Sequence, residues 1–184
     1  MKKSRLLSIP SSTRLSFTLM NTNDKQLLFD LDQDPEVMKY ISGKITSMED
    51  IDNIFIPRML TYRNPEKGWG IWQVNLAASG EYIGWIIVRP MHFFSDSPEF
   101  SNLELGWRFK RSYWGKGYAT EAANAVMNTL VDDRGYRHFS AIADPNNEAS
   151  INIMKKLGMI FVKKDIHKDP LGDSVVVFYE LSNC

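Results

Sequence analysis

Glu104-Leu-Gly-Trp-Arg-Phe-Lys-Arg-Ser-Tyr-Trp-Gly-Lys-Gly-Tyr-Ala-Thr-Glu121 is the stretch that decides how this chain is read. Leu103, Leu105, Trp107 and Phe109 alternate along one face of a strand, and Glu104, Gly106 and Arg108 take the other. The chain then passes two closely spaced glycines, Gly115 and Gly117, into a segment where Ala119, Ala122, Ala123, Val126 and Leu130 recur at helical spacing. A turn of this kind offers successive unpaired backbone N–H groups and the positive end of a helix dipole, which suits a phosphate. Glycine lets the main chain approach a ligand with no Cβ between them. Lys110, Arg111 and Lys116 add positive charge. On the glycines alone, a plain connection with solvated basic residues fits equally well.

Two other phosphate loops fail on the residues. A Walker-type loop needs Ser or Thr after its Lys, but Lys116 is followed by Gly117. A dinucleotide fingerprint needs a third Gly or Ala where Thr120 stands, and an acid about twenty positions on, where Arg137-His138-Phe139-Ser140 has none.

Outward from this segment the elements follow closely. Arg14 to Leu19 alternates as a half-buried strand. Asp34-Pro35 caps a short helix expected through Ile41, and Ser47 starts a second helix that Pro57 must kink or end. Gly70–Leu76 and Tyr82–Val88 flank the turn Ala78-Ser79-Gly80-Glu81, which reads as a hairpin. A loop containing Pro90, Asp96 and Pro98 precedes the strand Asn102–Phe109. Beyond the long helix come a strand at Phe139–Ala143 and a helix capped by Asn146 or Asn147 and stopped at Gly158. Strands near Met159–Lys164 and Ser174–Leu181 complete the order. This predicts one α+β domain over residues 1–184, with a core of about 13–181.

The 184 residues carry 22 basic and 22 acidic side chains, which argues against nucleic acid as the main partner. Cys184, the single cysteine, and three scattered histidines provide no metal-ligand spacing. The apolar part of Met1 to Pro10 is too short for a signal-peptide core, and no run is long enough to span a bilayer. A reduced, metal-free, cytoplasmic protein is expected, with neither nucleic-acid nor membrane partners. A monomer and a homodimer are both compatible with the sequence.

Four segments in order resemble the GCN5-related N-acetyltransferases (GNAT), in particular the RimJ/RimL-type ribosomal-protein branch. They are Asp34-Pro35-Glu36-Val37-Met38, Glu104-Leu105-Gly106-Trp107, Tyr113 to Ala122, and Asn147-Glu148-Ala149-Ser150 running to Met159. The resemblance implies a GNAT-like mixed, mostly antiparallel sheet of six to seven strands with about four helices. It implies acetyl-CoA as cofactor and an amine as acceptor, such as a peptide N-terminus or a small amine. The family's pyrophosphate pattern falls on Trp114-Gly115-Lys116-Gly117-Tyr118-Ala119, followed by Thr120. Trp114 departs from the general family pattern, which carries Gln or Arg there, and leaves the backbone cradle intact. By the same resemblance the pantetheine arm would pair with backbone at Trp107, Arg108 and Phe109. Asn147 and Asn152 would contact that arm, and the Ser150 hydroxyl would stand near the thioester sulfur. Helix capping by Asn147 and back-bonding by Ser150 are the structural alternatives.

Acetyl transfer needs a neutral amine, a donor for the oxyanion and a proton for the leaving thiolate. Glu104, on the strand face away from the core, is the candidate base through water. The alternative is an exposed glutamate paired with Arg108 or a lysine. Tyr113 and Tyr118 are possible acids or packing rings. The loop Met91 to Phe100 either receives the amine or covers the core edge, and Trp69, Trp72 and Trp85 are assigned to the core. A non-catalytic acyl-CoA sensor of the same fold is the competing reading.

Overall fold

The computed structural model describes residues 5–182; Cys184 and the first four residues lie outside the described part. Seven strands form one sheet in the order β1-β2-β3-β4-β5-β7-β6. They are β1 Leu15–Leu19, β2 Gly70–Leu76, β3 Tyr82–Met91, β4 Glu99–Phe109, β5 His138–Ala143, β6 Ile160–His167 and β7 Ser174–Ser182. Every pairing is antiparallel except β4 with β5. The expected α+β class and the seven strands expected along the chain are what the structure shows.

Besides two 3₁₀ turns, five helical stretches flank the sheet among the described residues: α1 Lys25–Leu31, α2 Pro35–Met38, α3 at 48–62, α4 Tyr118–Arg134 and α5 Glu148–Lys156. α1 has no counterpart among the expected elements, and α2 stops three residues before Ile41. Pro57 does not end α3. The middle of α3, Ile51–Phe55, is π-helical, with the Ile56 N–H donated to the Ile51 carbonyl. The i→i+5 bonding shifts the register just ahead of Pro57, so the missing amide falls at the start of the next segment, Ile56–Tyr62, where it costs least.

Side-chain alternation divides the core between the two faces of the sheet. Trp72, Val74, Ile83, Ile86, Val88, Leu103 and Leu105 pack under Ala122, Ala123, Val126 and Leu130 of α4 and Met154 of α5. Ile71, Tyr82 and Trp85 face the opposite way, into Leu28, Leu31, Ile51, Ile56 and Met59 from α1 and α3. Both faces of β3 are therefore covered, which explains its unbroken run Trp85-Ile86-Ile87-Val88. β3 also runs beyond Val88 through Pro90, whose register shift to Met91 accommodates the missing N–H.

Candidate active site

The glycine turn has the backbone form expected of an anion cradle. Gly115 and Gly117 sit at φ 73° and 79°, the left-handed region, and Gly117 is the N-cap of α4 with no side chain capping it. The amides of Tyr118, Ala119 and Thr120 in the first turn therefore lack a side-chain acceptor. A Cβ at Gly115 would meet nothing within 4 Å, and one at Gly117 would meet only Arg14 Nη2 at 3.5 Å. Packing leaves this side of the turn open, and the donor set fits a diphosphate. Trp114 is exposed, and its indole N–H donates to the Phe109 carbonyl at 2.9 Å. Lys116 is exposed, with its ammonium 5.5 Å from the Tyr113 ring centroid. Tyr113 and Tyr118 pack edge to face at 5.8 Å.

The gap beside the turn comes from strand pairing. β4 and β5 run parallel only through Asn102↔His138, Leu103↔Phe139 and Glu104↔Ser140. Beyond Glu104 the two strands part, so Trp107, Arg108 and Phe109 border the opening with no β5 partner. The half-buried Trp107 donates its indole N–H to Ser150 Oγ at 3.1 Å, which joins β4 to α5 across the opening. The Ser150 hydroxyl is thus an acceptor for Trp107 and does not back-bond to its helix. Asn147 caps α5, its Oδ1 accepting from the Ser150 amide at 3.2 Å. Asn152 is exposed and lies two residues on from Ser150, about 200° around the helix, so the structure does not bring it to the gap with the others.

Over residues 14–160 the chain matches the model of the family described as the acetyltransferase (GNAT) domain. The chain belongs to the GNAT acetyltransferase family. It is similar to the uncharacterized protein YkkB of Bacillus subtilis, 32% identical over 153 residues, covering 82% of this chain and 84% of that one. FsC-acetyl coenzyme A-N(2)-transacetylase of Aspergillus fumigatus is 26% identical over 159 residues, covering 85% of this chain and 67% of that one. Among solved structures, the ribosomal L7/L12 alpha-N-protein acetyltransferase RimL in complex with coenzyme A superposes with a TM-score of 0.70. It is 15% identical, covers 95% of this chain and 97% of its own, and bears on the fold.

In this GNAT chain Glu104 is neither exposed nor paired with Arg108 or a lysine. It is buried, and Arg89, its cross-strand neighbour on β3, binds both carboxylate oxygens, Nε–Oε2 at 2.8 Å and Nη2–Oε1 at 3.1 Å. Burial alone would raise the Glu104 pKa; the charge and hydrogen bonds of Arg89, with help from His167 and His92, hold it below the usual carboxylate value. The Arg108 side chain turns to Asp32 at 2.6 Å and lies 4.9 Å from the Trp85 ring centroid, so only its backbone borders the gap. No helix among the described residues is long and apolar enough to cross a membrane. No cluster of three or more potential metal ligands occurs among them either.

The loop after β3 covers the core edge, one of the two purposes considered for it. Phe93 and Phe94 pack edge-on against Tyr62 of α3 at 5.8 and 6.1 Å, and with His92 they also line a small cavity over Glu104. Trp69, Trp72 and Trp85 are buried, as expected. The sequence reading missed Arg14. Its Nε pairs with Glu121 at 2.6 Å, its Nη1 donates to the Lys116 carbonyl at 3.0 Å, and its guanidinium lies 4.2 Å from the Tyr118 ring centroid. Arg14 braces the glycine turn from more than a hundred residues away, and no local pattern could have marked it.

Proposed function

We propose that this GNAT chain moves the acetyl group of acetyl-CoA to a primary amine, either a peptide N-terminal α-amine or a small-molecule amine. The observation that carries the reading is the fork between β4 and β5, with the uncapped glycine turn at its mouth and a buried polar pocket at its apex. The amides of Gly117, Tyr118, Ala119 and Thr120 hold the diphosphate, flanked by Gly115 and Lys116 and braced by Arg14. Backbone at Trp107, Arg108 and Phe109 pairs with the pantetheine arm in the manner of an added strand, and Asn147 lies at the far bank. Ser150 already accepts from Trp107, so its own O–H is free to donate toward the thioester sulfur as the thiolate departs. Glu104 is ionised and held at the apex, where its negative charge favours an incoming ammonium.

Purified protein incubated with acetyl-CoA and a panel of peptides and small amines tests this. Release of free thiol together with an acetylated product identified by mass spectrometry is expected. Coenzyme A binding with no product across the panel would overturn catalysis and favour an acyl-CoA sensor of the same fold.

A further inference from the structure

The cavity over Glu104 has a volume of ≈ 10 Å³, about the space that one water needs. It lies on the sheet face away from α4 and α5, at the point where β4 and β5 part. Whatever accepts a proton there needs a lone pair that is not already held by a cation. Each oxygen of Glu104 accepts one hydrogen bond from Arg89, and that charged pair leaves it lone pairs but makes it a poor base. Asp169 is ion-paired with Arg58 of α3, whose guanidinium lies 3.5 Å from the Phe94 ring centroid. Burial pushes the Tyr62 phenol up to about 12, against the opposing charge of Arg89, so at neutral pH it has a proton and no anionic oxygen. Arginine offers donors only.

His167 is different. It ends β6, is 8% exposed, and its Nδ1 is buried with no hydrogen-bond partner from the protein. A buried, unpartnered imidazole nitrogen costs stability unless something at the site answers it. The ring is also clamped. His92 stacks on it at 5.8 Å and 29°, and Phe178 meets it edge-on at 6.4 Å. His92 reaches that position from a left-handed backbone, φ 57°, the one non-glycine residue with positive φ among the described residues.

We propose that His167, not Glu104, takes the proton from an amine held at the mouth of this pocket. The proposal rests on the acetyl-transfer reading above. A substrate ammonium gives one proton to the neutral imidazole through one water in the cavity. The freed nitrogen lone pair forms the N–C bond at the thioester carbonyl carbon, and the C–S bond breaks. The nitrogen's second proton goes to the departing sulfur, and the imidazolium releases its proton to solvent. One proton is liberated per amide formed.

The charged and titratable groups facing His167 are Glu104 on β4, Arg89 on β3, His92 after it, Lys168 and Asp169 after β6, and Arg58 and Tyr62 on α3. Burial acts most strongly and lowers the His167 pKa, as do His92 and Arg89; Glu104 and Asp169 oppose them without cancelling the shift. The imidazole is therefore neutral at pH 7 and unable to accept a proton once the pH falls through its own pKa.

The test uses the full chain and the amine found in the acceptor panel. His167→Gln keeps a polar side chain of similar length that cannot titrate. It is expected to lower kcat by about 10²-fold or more, leave KM for acetyl-CoA unchanged, and abolish the acid limb of the pH–rate profile. Independently of turnover, an NMR titration of the wild-type chain should show His167 titrating below the ordinary value of about 6.5. A full-rate His167→Gln variant, or one with its acid limb intact, overturns the proposal. So does a His167 that titrates above the ordinary range. A wild-type chain that binds coenzyme A but makes no product with any amine would instead sink the acetyl-transfer reading, and the NMR titration separates the two failures.

Discussion

Removing Arg89 should destabilise the protein chiefly through the carboxylate it leaves behind. The side chains of Arg89 and Glu104 are 13% and 7% exposed and joined by two hydrogen bonds. Breaking a buried pair by deleting one partner costs about 3–5 kcal/mol, whereas replacing both with neutral groups of similar volume is close to neutral. With a urea slope of about 2–3 kcal/mol per molar, Arg89→Met should lower the unfolding midpoint by about 1–2 M at pH 7. Arg89→Met/Glu104→Gln should recover at least half of that loss. The assay is urea unfolding of wild type, both single variants and the double variant, read as a double-mutant cycle.

The pH dependence carries its own sign. In the wild type the folded Glu104 pKa is depressed, so its stabilisation is present above the unfolded value and is lost as pH falls through the folded one. In Arg89→Met only burial remains as the large influence, and it raises the pKa. That variant should regain stability relative to wild type as the medium is acidified. Equal destabilisation of Arg89→Met and the double variant at pH 7, with no relative gain in acid, would refute the reasoning.

Gly117→Glu should abolish coenzyme A binding by calorimetry, because it puts a carboxylate among the phosphate donors; binding at wild-type strength would remove the cradle from the site. The same change forces a side chain onto a backbone at φ 79°, a strain of about 1–2 kcal/mol that thermal unfolding should register. Gly84→Ala should destabilise by about 1–3 kcal/mol. Its Cβ would fall 2.4 Å from the Arg108 carbonyl and 2.7 Å from the Phe109 ring, and a melting temperature within error of wild type would contradict that packing. Arg58→Ala removes the ion pair to Asp169 and the cation over Phe94, so amide exchange in residues 168–173 should quicken while β7 stays protected.

What the sequence made legible was local. β2 falls at the residues its hairpin turn predicts, and α5 ends just before Gly158, its expected stop, at φ 84°. α1 escaped because its start signal is an asparagine–aspartate capping box, Asn21 with Asp24, which opens a single 3₁₀ turn before the helix. Pro57 marked an irregularity but not its form: a π-helical segment ahead of it lets the helix continue, with Ile51, Ile56 and Met59 in the core on either side. The polar partners were out of reach for a plainer reason. Arg89 and Glu104 meet only once the register of β3 on β4 is known, and Arg14 meets Glu121 across more than half the length of the chain. His167 gains its meaning only when β6 places it beside residues from β3 and β4.

The cradle and the gap are two results of one topological step. β4 and β5 are the single parallel pair in the sheet, and a parallel pair needs a crossover, which α4 supplies. Because α4 follows β4 directly, its N-terminus stands at the C-terminal end of β4, the end where the two strands have separated. Uncapped amides and an open sheet edge therefore meet there without a separate device to align them. Alternation along β4 sets the opposite face. Leu103 and Leu105 anchor the strand beneath α4, which turns Glu104 to the opposite face and into contact with Arg89. A donor held in the gap and an amine held over Glu104 would thus approach the same point from two faces of one sheet, at the last β4–β5 pair before the fork.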